Sequence, residues 1–464
     1  MQGWIHWKRG IRGELGPMLA LAGPVVLAEL GWMSMGIVDT MFVGRLGAEA
    51  IGAVSLGNAL FFAASIFGIG LLLGLDTLVS QSFGAKRLDE CHAWFVQSIY
   101  LVLLIGPAVM LVLLGCEPLL GRMGAHPAVL AGALPFLRAT TWGTVPLFFY
   151  AALRRYLQGM GLVRPVMFAF LSANLINAVG DWLLIDGHLG LPAMGVAGSG
   201  WATTISRAYM AGVLAAYAAY HDLRHRTGLF GASFRPRAAR LWRLLRLGVP
   251  AALHATLEVG VFAAATMLAG TLDPAALAAH HIVLDVSSVT FMIPLGLASA
   301  GAVRVGQALG RGEPAAAGRA GWTALVLGVG FMAASGTVMA LVPGVLASLF
   351  TTDPDVIGRA STLMLVAAAF QLFDGLQGVS TGTMRGAGDT HTPMVVNLVA
   401  HWVIGLPLGY LLGFIFGYGV VGLWVGLALG LGSSGLYLLR AWFRRAGALA
   451  RGEHGAHAAA EPAA

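Results

Sequence analysis

The sequence predicts an all-α integral membrane protein with twelve transmembrane helices in two pseudo-symmetric six-helix lobes. Of its 464 residues, 58% are hydrophobic and 11% are charged, and its mean hydropathy is +0.79. A soluble domain carries about 25% charged residues. Apolar stretches long enough to cross a bilayer recur from end to end, and the second half of the chain resembles the first. The alternating strands of a membrane β-barrel do not occur in the sequence.

Twelve segments each hold the roughly 20 apolar residues that a membrane-spanning helix needs. Their Gly and Ala content suits helices that approach closely in lipid. The predicted spans cover roughly residues 15–43, 50–80, 93–115, 129–152, 164–185, 193–219, 243–270, 278–303, 318–342, 358–383, 394–416 and 419–442.

The net charge of +7 reflects topology rather than nucleic-acid binding, because the cations flank spans and form no soluble domain. They alternate with connections that carry few cations, such as those around Asp186, Asp273 and Asp353. The positive-inside rule then predicts cytoplasmic termini and even-numbered connections in a bacterial-type inner membrane. The cations cluster at Lys8 to Arg12, Lys86 and Arg87, Arg154 to Arg164, Arg224 to Arg246, Arg304 to Arg319, Arg385, and Arg440 to Arg451.

Enzyme, cofactor and export signals are missing from the sequence. It has no P-loop, no G-x-S-x-G elbow and no cluster of metal ligands. Cys91 and Cys116 cannot form a disulfide framework. Residues 1–15 lack an apolar core followed by a small-residue cleavage site, so we expect an uncleaved first span. We therefore expect neither an enzyme nor a bound cofactor or structural metal.

Four pairs of motifs recur in the same order in the two halves. Met41-FVGRL matches Met267-LAGTL, Gln81-SFG matches Gln307-ALG, Gln158-GMG matches Arg385-GAG, and Gly195-VAG matches Gly419-VVG. Because each half has six spans, both halves enter the membrane from the same side. Such repeats place the substrate path between the halves, and rocking of one lobe against the other gives alternating access. The competing explanation of these matches is that membrane helices rich in small residues all resemble one another.

The repeat defines the predicted domains. Residues 1–14 form a cytoplasmic N-terminus, 15–220 the N-lobe, and 247–443 the C-lobe. The polar stretch 221–246 is the cytoplasmic linker between them, and 444–464 is a disordered cytoplasmic tail.

Carboxylates inside the apolar spans are the strongest functional signal. A charge at the bilayer centre costs about 2.5–3.5 kcal/mol on insertion scales, so such residues usually serve a cavity, a partner or a moving ion. In the first half, Asp39 lies late in span one, where pairing with Arg45 is the alternative role. Asn174, Asn177 and Asp181 share one helix face. They could line a hydrated proton site or form only interhelical hydrogen bonds.

The second half holds a corresponding set. His254 and Glu258 are spaced i, i+4 on span seven, and Asp374 lies in the middle of span ten. These acids could take up H⁺ or bind Na⁺, and pairing with polar groups across helices is the alternative. No role is assigned to Glu29, Asp76 or Asp285, the other embedded acids.

These segments resemble the multidrug and toxic compound extrusion (MATE) family of secondary transporters, over about residues 15–440. The resemblance in the first half rests on Val38-DTMFVGRLGAEAIGAVSL, Gln81-SFGAK, Gln158-GMG, Asn177-AVGDWLLI and Gly195-VAGSGWATTIS. In the second half it rests on Ala279-HHIVLDVSSVTFMIPLG, Val305-GQALG and Gln371-LFDGLQGVSTGTMRGAGDT. The last two are most similar to the NorM-like branch.

The resemblance implies two six-helix lobes around a central cleft and export of organic cations by Na⁺ or H⁺ antiport. In the NorM branch the cation-site residues fall on Glu258 and Asp374, with a further Asp at Asp39. In DinF-like members the protonation site falls on Asp39, Asn177, Asp181 and Thr203. This chain holds both sets. NorM-type members often have Asn in place of Asp181 and Asp285, so the coupling ion stays open.

The expected function is therefore efflux of cationic drugs by a monomer in the lipid bilayer, coupled to Na⁺ or H⁺. Glu258, Asp374, Asp39 and Asp181 are the predicted coupling acids, and the supporting polar residues are Asn177, Asn174, Thr203 and His254. Na⁺ could bind at Glu258 and Asp374. Three other functions are the alternatives to efflux. A flippase for lipid-linked intermediates would need a strongly basic cavity, whereas the embedded charges here are mainly acidic. A facilitator of the major type would have a G-x-x-x-D-R-x-G-R-like loop after span two, and a membrane enzyme would need a reactive constellation.

Overall fold

The chain is described by a computed structural model covering residues 2–116, 118 and 126–451, with the backbone alone for 2–12 and 450. Throughout these residues the regular structure is helical, without strands. The sequence produces this architecture because helices satisfy every backbone polar group within one segment, which lipid requires. The prediction of an all-α membrane protein is confirmed.

Within the described residues, the first half of the chain contains eight α-helices. They are α1 (Gln2–Val43), α2 (Ala48–Leu71), α3 (Gly74–Gly84), α4 (Leu88–Gly115), α5 (Pro127–Thr141), α6 (Thr144–Gly159), α7 (Arg164–Asp186) and α8 (Val196–His225).

The second half begins with α9 (Ala238–Gly270), α10 (Pro274–Gly310), α11 (Pro314–Leu341), α12 (Pro343–Ser348) and α13 (Pro354–Gly386). It continues with α14 (His391–Asn397), α15 (Leu406–Tyr410) and α16 (Gly419–Ala450), and π-helical turns at Leu398–Gly405 and Leu411–Ile415 extend α14 and α15 into one segment.

Within the described residues, ten helical segments are long and apolar enough to cross a membrane. The other two predicted spans have identifiable reasons for falling short. The span at 129–152 is divided between α5 and α6 by a turn at Trp142 and Gly143. The span at 193–219 is the 30-residue helix α8, which buries polar side chains such as Ser199, Thr203 and Arg207. Twelve helical segments in the described residues thus match the predicted spans.

The described helices pack into two compact units. The N-terminal unit comprises Leu27–Phe83 and Arg87–Ala252. Its core is built around fully buried large side chains such as Leu75, Phe148 and Phe170. The C-terminal unit comprises Met1–Val26, Gly84–Lys86 and Leu253–Ala464, with Val261, Phe370 and Trp424 in its core.

Three of the repeated motif pairs have a residue with positive φ at matching positions, in the motif or just after it. Lys86 and Gly312 have φ values of 61° and 73°, Gly161 and Gly388 have 80° and 82°, and Gly195 and Gly419 both have 56°. At Lys86 this conformation costs free energy, because a side chain disfavours positive φ, whereas glycine tolerates it. The hydrogen bond from Arg87 N to Ser82 O recurs from Glu313 N to Ala308 O, each at 3.0 Å. These shared turns support the internal duplication.

Glycines bring two segments of the C-terminal unit into backbone contact. Gly405, Gly409 and Gly413 face Gly422, Gly426 and Gly430 of α16, each set spaced by four residues. A Cβ atom added to Gly426 would lie 2.2 Å from the backbone nitrogen of Gly409. Small residues at this spacing let helices approach closely in membranes.

Two segment boundaries differ from the predicted ones. Helix α16 continues to Ala450, because Trp442, Ala446 and Leu449 keep one face buried, so residues 444–450 are helical rather than part of a disordered tail. The remainder of that tail, 452–464, lies outside the described residues. The linker predicted at 221–246 is non-helical only at 226–237, because α8 ends at His225 and α9 begins at Ala238.

Candidate ion-binding sites

Asp39 lies at the end of α1 and is 3% exposed. The hydroxyl of Thr203 on α8 donates to its Oδ2 atom at 3.2 Å. Arg45 is the partner of Asp39 in the alternative interpretation. Its guanidinium carbon lies 5.3 Å from the ring centre of Phe42. The structure therefore places Asp39 in the interior of the N-terminal unit, in contact with one of the predicted supporting residues.

Asp181 and Asn177, one turn apart on α7, are fully buried beside Asp39. The carboxyl groups of Asp39 and Asp181 face each other closely enough to hydrogen-bond. Two ionised carboxylates only accept, so this contact becomes a hydrogen bond when one of them holds a proton. Within the described residues, Asp39 Oδ1, both Asn177 amide atoms and both Asp181 oxygens lack a hydrogen bond of good geometry. Buried polar atoms in this condition suit a proton, a cation or water.

Arg207 adds a positive charge that the sequence interpretation missed. It lies one helical turn after Thr203 on α8, is 6% exposed, and interacts electrostatically with Asp39. Its guanidinium carbon lies 4.0 Å from the ring centre of Phe61, and Nη1 donates to the Thr140 carbonyl at 3.3 Å. The i, i+4 spacing from Thr203 within an apolar span was the signal that could have identified it.

Asn174 has a different environment from the other predicted polar residues of α7. Its Oδ1 accepts from Ser34 of α1 at 3.0 Å, and its Nδ2 donates to the Phe170 carbonyl at 3.1 Å. Asn174 thus connects α1 to α7, as in the alternative interpretation of that helix face.

Glu258 and His254 lie on consecutive turns of α9 in the C-terminal unit. His254 Nδ1 is 3.8 Å from Glu258 Oε2, which is too long for a hydrogen bond. Gln377 Nε2 is 3.3 Å from His254 Nε2. Because an amide nitrogen only donates, His254 Nε2 accepts, and the ring proton of the neutral imidazole is on Nδ1, facing Glu258.

Asp374 lies on α13 one turn before Gln377 and is 7% exposed. It lies within electrostatic range of Glu258, so the structure brings these two predicted acids together. Gln377 also lies within hydrogen-bonding reach of Glu258. The amide oxygen of Gln377 has no hydrogen-bond partner among the described residues.

Two further polar residues beside His254 were missed by the sequence interpretation. The amide nitrogen of Asn397 donates to the His254 carbonyl at 3.3 Å. His401 Nδ1 donates to the Asn397 carbonyl at 3.2 Å, and His401 is close enough to His254 for electrostatic interaction. The Asn and His spaced i, i+4 in the apolar span 394–416 were the available signal.

The embedded acids that had no assigned role have other partners. Glu29 pairs with Arg154, and Asp76 Oδ2 lies 3.3 Å from Arg155 Nη1. These buried pairs neutralise charges that would be costly alone. Asp285 is exposed and interacts with His281 one turn earlier.

Among the described residues, each unit therefore contains a cluster that includes two of the predicted coupling acids. The N-terminal cluster comprises Asp39, Asn177, Asp181, Thr203 and Arg207, and the C-terminal cluster comprises His254, Glu258, Asp374 and Gln377. Among the described residues, no group of three or more His, Cys, Asp or Glu side chains is arranged to hold a metal ion. Carboxylate and amide oxygens suit a proton or a hard cation that binds and leaves, rather than a permanently held transition metal.

Comparison with known proteins identifies the chain's relatives. A family model described as MatE matches residues 24–183 and 250–411. A probable multidrug resistance protein NorM from Mesorhizobium japonicum is 40% identical over 446 residues, 95% of each chain. The multidrug resistance protein PmpM from Pseudomonas aeruginosa is 34% identical over 92% of this chain and 91% of its own.

Solved structures show the same fold. The eukaryotic MATE transporter AtDTX14 superimposes with a TM-score of 0.85 at 23% identity, covering 95% of this chain and 99% of that one. An outward-facing multidrug resistance MATE family transporter of the MOP superfamily gives 0.84 at 21% identity, over 96% and 98%. Together with the family match over more than half of the sequence, these likenesses show that the chain is a multi-pass membrane transporter, not an enzyme, and that it belongs to the MatE family.

Proposed function

We propose that this protein is a secondary active multidrug efflux transporter that exports organic, mainly cationic compounds in exchange for Na⁺ or H⁺. It works by alternating access as a monomer in a bacterial-type inner membrane, with both termini in the cytoplasm. The names of its relatives, which are multidrug resistance proteins, support drugs as the substrate class. The orientation rests on the positive-inside distribution of Lys and Arg.

The observation that carries the proposal is the pairing of embedded acids within each unit. Asp39 faces Asp181, and Asp374 lies near Glu258. An ionised carboxylate away from water is costly unless a proton, a cation or a hydrogen-bonding partner compensates it. A pair of neighbouring carboxylates needs this compensation more than a single carboxylate does. Uptake and release of a cation are therefore the chemistry that these clusters are suited to perform.

The two clusters suit different ions. A single proton shared between Asp39 and Asp181 would convert their contact into a hydrogen bond. In the C-terminal cluster, the oxygens of Glu258 and Asp374 and the amide oxygen of Gln377 offer an oxygen-rich environment that could hold Na⁺ as well as H⁺.

Competition between ion and drug supplies the coupling. In an outward-facing state, Na⁺ or H⁺ loads at Glu258 and Asp374, or H⁺ at Asp39 and Asp181. Loading cancels negative charge, which weakens the hold on a cationic drug, and the drug leaves outward. After the ion is released to the cytoplasm, the ionised acids attract the next cationic substrate. Ion and drug share one electrostatic field, so coupling needs no direct contact between them.

The test is efflux of a fluorescent organic cation from cells producing single variants in which each acid becomes its amide. The variants are Glu258→Gln, Asp374→Asn, Asp39→Asn and Asp181→Asn. Asp355→Asn is the matched control, because Asp355 is exposed and pairs with the half-buried Arg359 at 3.1 Å, a contact of little energetic value.

We expect the cluster that couples transport to lose at least about tenfold in efflux rate when either of its acids is neutralised, since one absent charge there is worth more than roughly 1.4 kcal/mol. The Asp355→Asn variant should transport like the wild type. Wild-type efflux in all four cluster variants, at equal protein levels, would refute the proposal.

A further inference from the structure

The non-helical linker at 226–237 has a defined structure, held mainly by side chains of α4. His92 Nε2 is 2.9 Å from the Thr227 carbonyl. Gln97 donates to the Arg235 carbonyl at 3.1 Å and accepts from the Arg237 backbone nitrogen at 2.9 Å. These contacts fix the linker backbone at both ends of the loop.

Asp222, near the end of α8, holds the middle of the loop. Its carboxylate accepts from the backbone nitrogens of Leu229 and Phe230 at 2.8 and 3.2 Å, and from the hydroxyl of Thr227. Hydrogen bonds to a charged group are among the stronger ones in proteins. The loop therefore presents its outward-facing side chains in a fixed arrangement.

A cavity of about 220 Å³ lies between this loop and the first turns of α4 and α9. Its walls include Gly228, Gly231, Ser233, Arg237 and Arg240, with Asp89 as the acidic member. Pockets for drug-sized ligands measure about 300–1,000 Å³. The cavity is thus better matched to a small headgroup than to a transported drug.

The charge in and around the cavity favours an anion. Arg237 and Arg240 lie close enough for their guanidinium groups to repel each other, and Arg243 is nearby, since Arg240 and Arg243 both lie over the ring of Trp94, at 5.5 and 6.0 Å. Of the acids in this region, Glu90 also attracts Arg240 but is itself paired with Arg87 at 2.9 Å. Guanidinium groups in such a cluster match phosphate oxygens in geometry and charge.

Exposed aromatic side chains lie on the same loop and on the start of α9. Phe230, Phe234 and Trp242 are 60%, 56% and 69% exposed, although large aromatic residues are usually buried. Aromatic residues at this kind of position contact the headgroup level of a bilayer, and clusters of arginine beside a span attract anionic lipids of the cytoplasmic leaflet. These exposed aromatic side chains and the cationic cavity together are complementary to an anionic phospholipid.

We propose that the loop 226–237 and the first turn of α9 bind the phosphate-bearing headgroup of an anionic phospholipid. Arg237, Arg240 and the Ser233 hydroxyl contact the phosphate, while Phe230, Phe234 and Trp242 contact the lipid around it. This site is separate from the two carboxyl clusters and does not depend on the coupling ion or the drug.

The test is native mass spectrometry of the full-length protein in neutral detergent, titrated with phosphatidylglycerol, phosphatidylcholine or inorganic phosphate. We expect phosphatidylglycerol to bind more tightly than the other two ligands when the first ligand molecule adds to the protein. The Arg237→Gln/Arg240→Gln variant should lose about fivefold in that affinity for each arginine removed. Arg440→Gln/Arg444→Gln is the matched control, since these exposed arginines on α16 are expected on the same side of the membrane.

A change of opposite sign gives a second, independent arm. Asp89→Asn removes the acid from the cavity wall and should tighten phosphatidylglycerol binding several-fold, an effect that loss of folding cannot imitate. The proposal is overturned if the arginine variant binds phosphatidylglycerol like the wild type, or if the α16 control loses as much affinity. It is also overturned if inorganic phosphate displaces the lipid at equal concentration.

Discussion

Arg207 places a fixed positive charge beside Asp39, where a transported cation would otherwise be the natural counter-charge. It is held in place by the ring of Phe61 and the Thr140 carbonyl. In the proposed mechanism, Arg207 would therefore compete with the ion and the drug for the acid pair of Asp39 and Asp181. Its effect belongs to single side chains and can be measured with single substitutions.

We expect Arg207→Gln to bind a cationic dye more tightly, with roughly tenfold lower apparent KM. The reason is Coulombic, since removing a unit charge several ångströms away changes the energy by about 1–4 kcal/mol at an effective dielectric constant near 20. Arg207→Lys keeps the charge and should stay near the wild type, as should Arg440→Gln. An unchanged KM for Arg207→Gln would show that Arg207 has only a packing role.

The residues of each cluster could be predicted from the sequence to different extents. Asp39, Asp181, Glu258 and Asp374 stand out because a charge in an apolar stretch is costly and therefore conspicuous. Asn174 shares a helical face with Asp181, but its contact with Ser34 depends on how α1 packs against α7. Gln377 and His401 are uncharged polar residues. Sequence periodicity alone does not show whether such residues belong to a buried polar network or form a single hydrogen bond between two helices.

At the level of elements, the beginning of α10 illustrates how local chemistry sets a helix boundary. Asp273 is the N-cap, and its Oδ1 accepts from the Ala276 backbone nitrogen at 2.9 Å. Arg359 approaches both carboxylate oxygens, at 3.0 and 2.8 Å. The backbone N–H of Ala276, together with Arg359, holds the pKa of Asp273 below its usual range.

We expect Asp273→Ala to lower the Tm of the detergent-solubilised protein by a few degrees at pH 7, and Asp273→Asn to lower it less, because Asn remains a good N-cap. A carboxyl group whose pKa is lower in the folded state stabilises above its unfolded pKa of about 3.9. That stabilisation is lost as the pH falls through the lower folded pKa. The difference between wild type and Asp273→Ala should thus be constant above about pH 5 and shrink toward pH 3. A difference that grows on acidification would contradict this account.

The glycine contact of α16 is the second element whose cause can be tested. We expect Gly426→Ala to destabilise the protein by about 1–3 kcal/mol, as overpacking does, because its Cβ would collide with the backbone of Gly409. Gly432→Ala is the matched control on the same helix, since its Cβ would lie an ordinary 3.6 Å from Phe373.

Thermal unfolding in detergent measures both glycine variants. Alanine is the better helix former by about 1 kcal/mol, so Gly432→Ala should be neutral or stabilising. Equal melting temperatures for Gly426→Ala and the wild type would mean that the two segments can separate without cost.

Sequence periodicity predicted the twelve spans because lipid imposes one length and one composition on every crossing segment. It did not predict the break between α5 and α6, since Trp142 and Gly143 occur within an otherwise apolar stretch. The ordered linker was missed for a different reason. Its structure comes from His92 and Gln97, which are distant in sequence, and from Asp222, whose contacts with the loop backbone depend on how the chain turns after α8.

At the level of the whole molecule, the repeated motifs predicted a duplication, and the matching turns at Gly161 and Gly388 support it. The acid clusters of the two units differ. In the N-terminal unit the acids face each other beside an arginine, whereas in the C-terminal unit they lie beside histidine and glutamine. Two different clusters explain why the sequence left the coupling ion open.

The most direct test of the central claim is dye transport in vesicles containing the purified protein, with a Na⁺ gradient or a pH gradient imposed alone. We expect at least one gradient to drive a cationic dye against its concentration gradient. Neutralising Glu258 and Asp374 should abolish a response to Na⁺, and neutralising one of the two acid pairs should abolish a response to the pH gradient. Dye movement that ignores both gradients, or that persists at wild-type rate with all four acids neutralised, would contradict it.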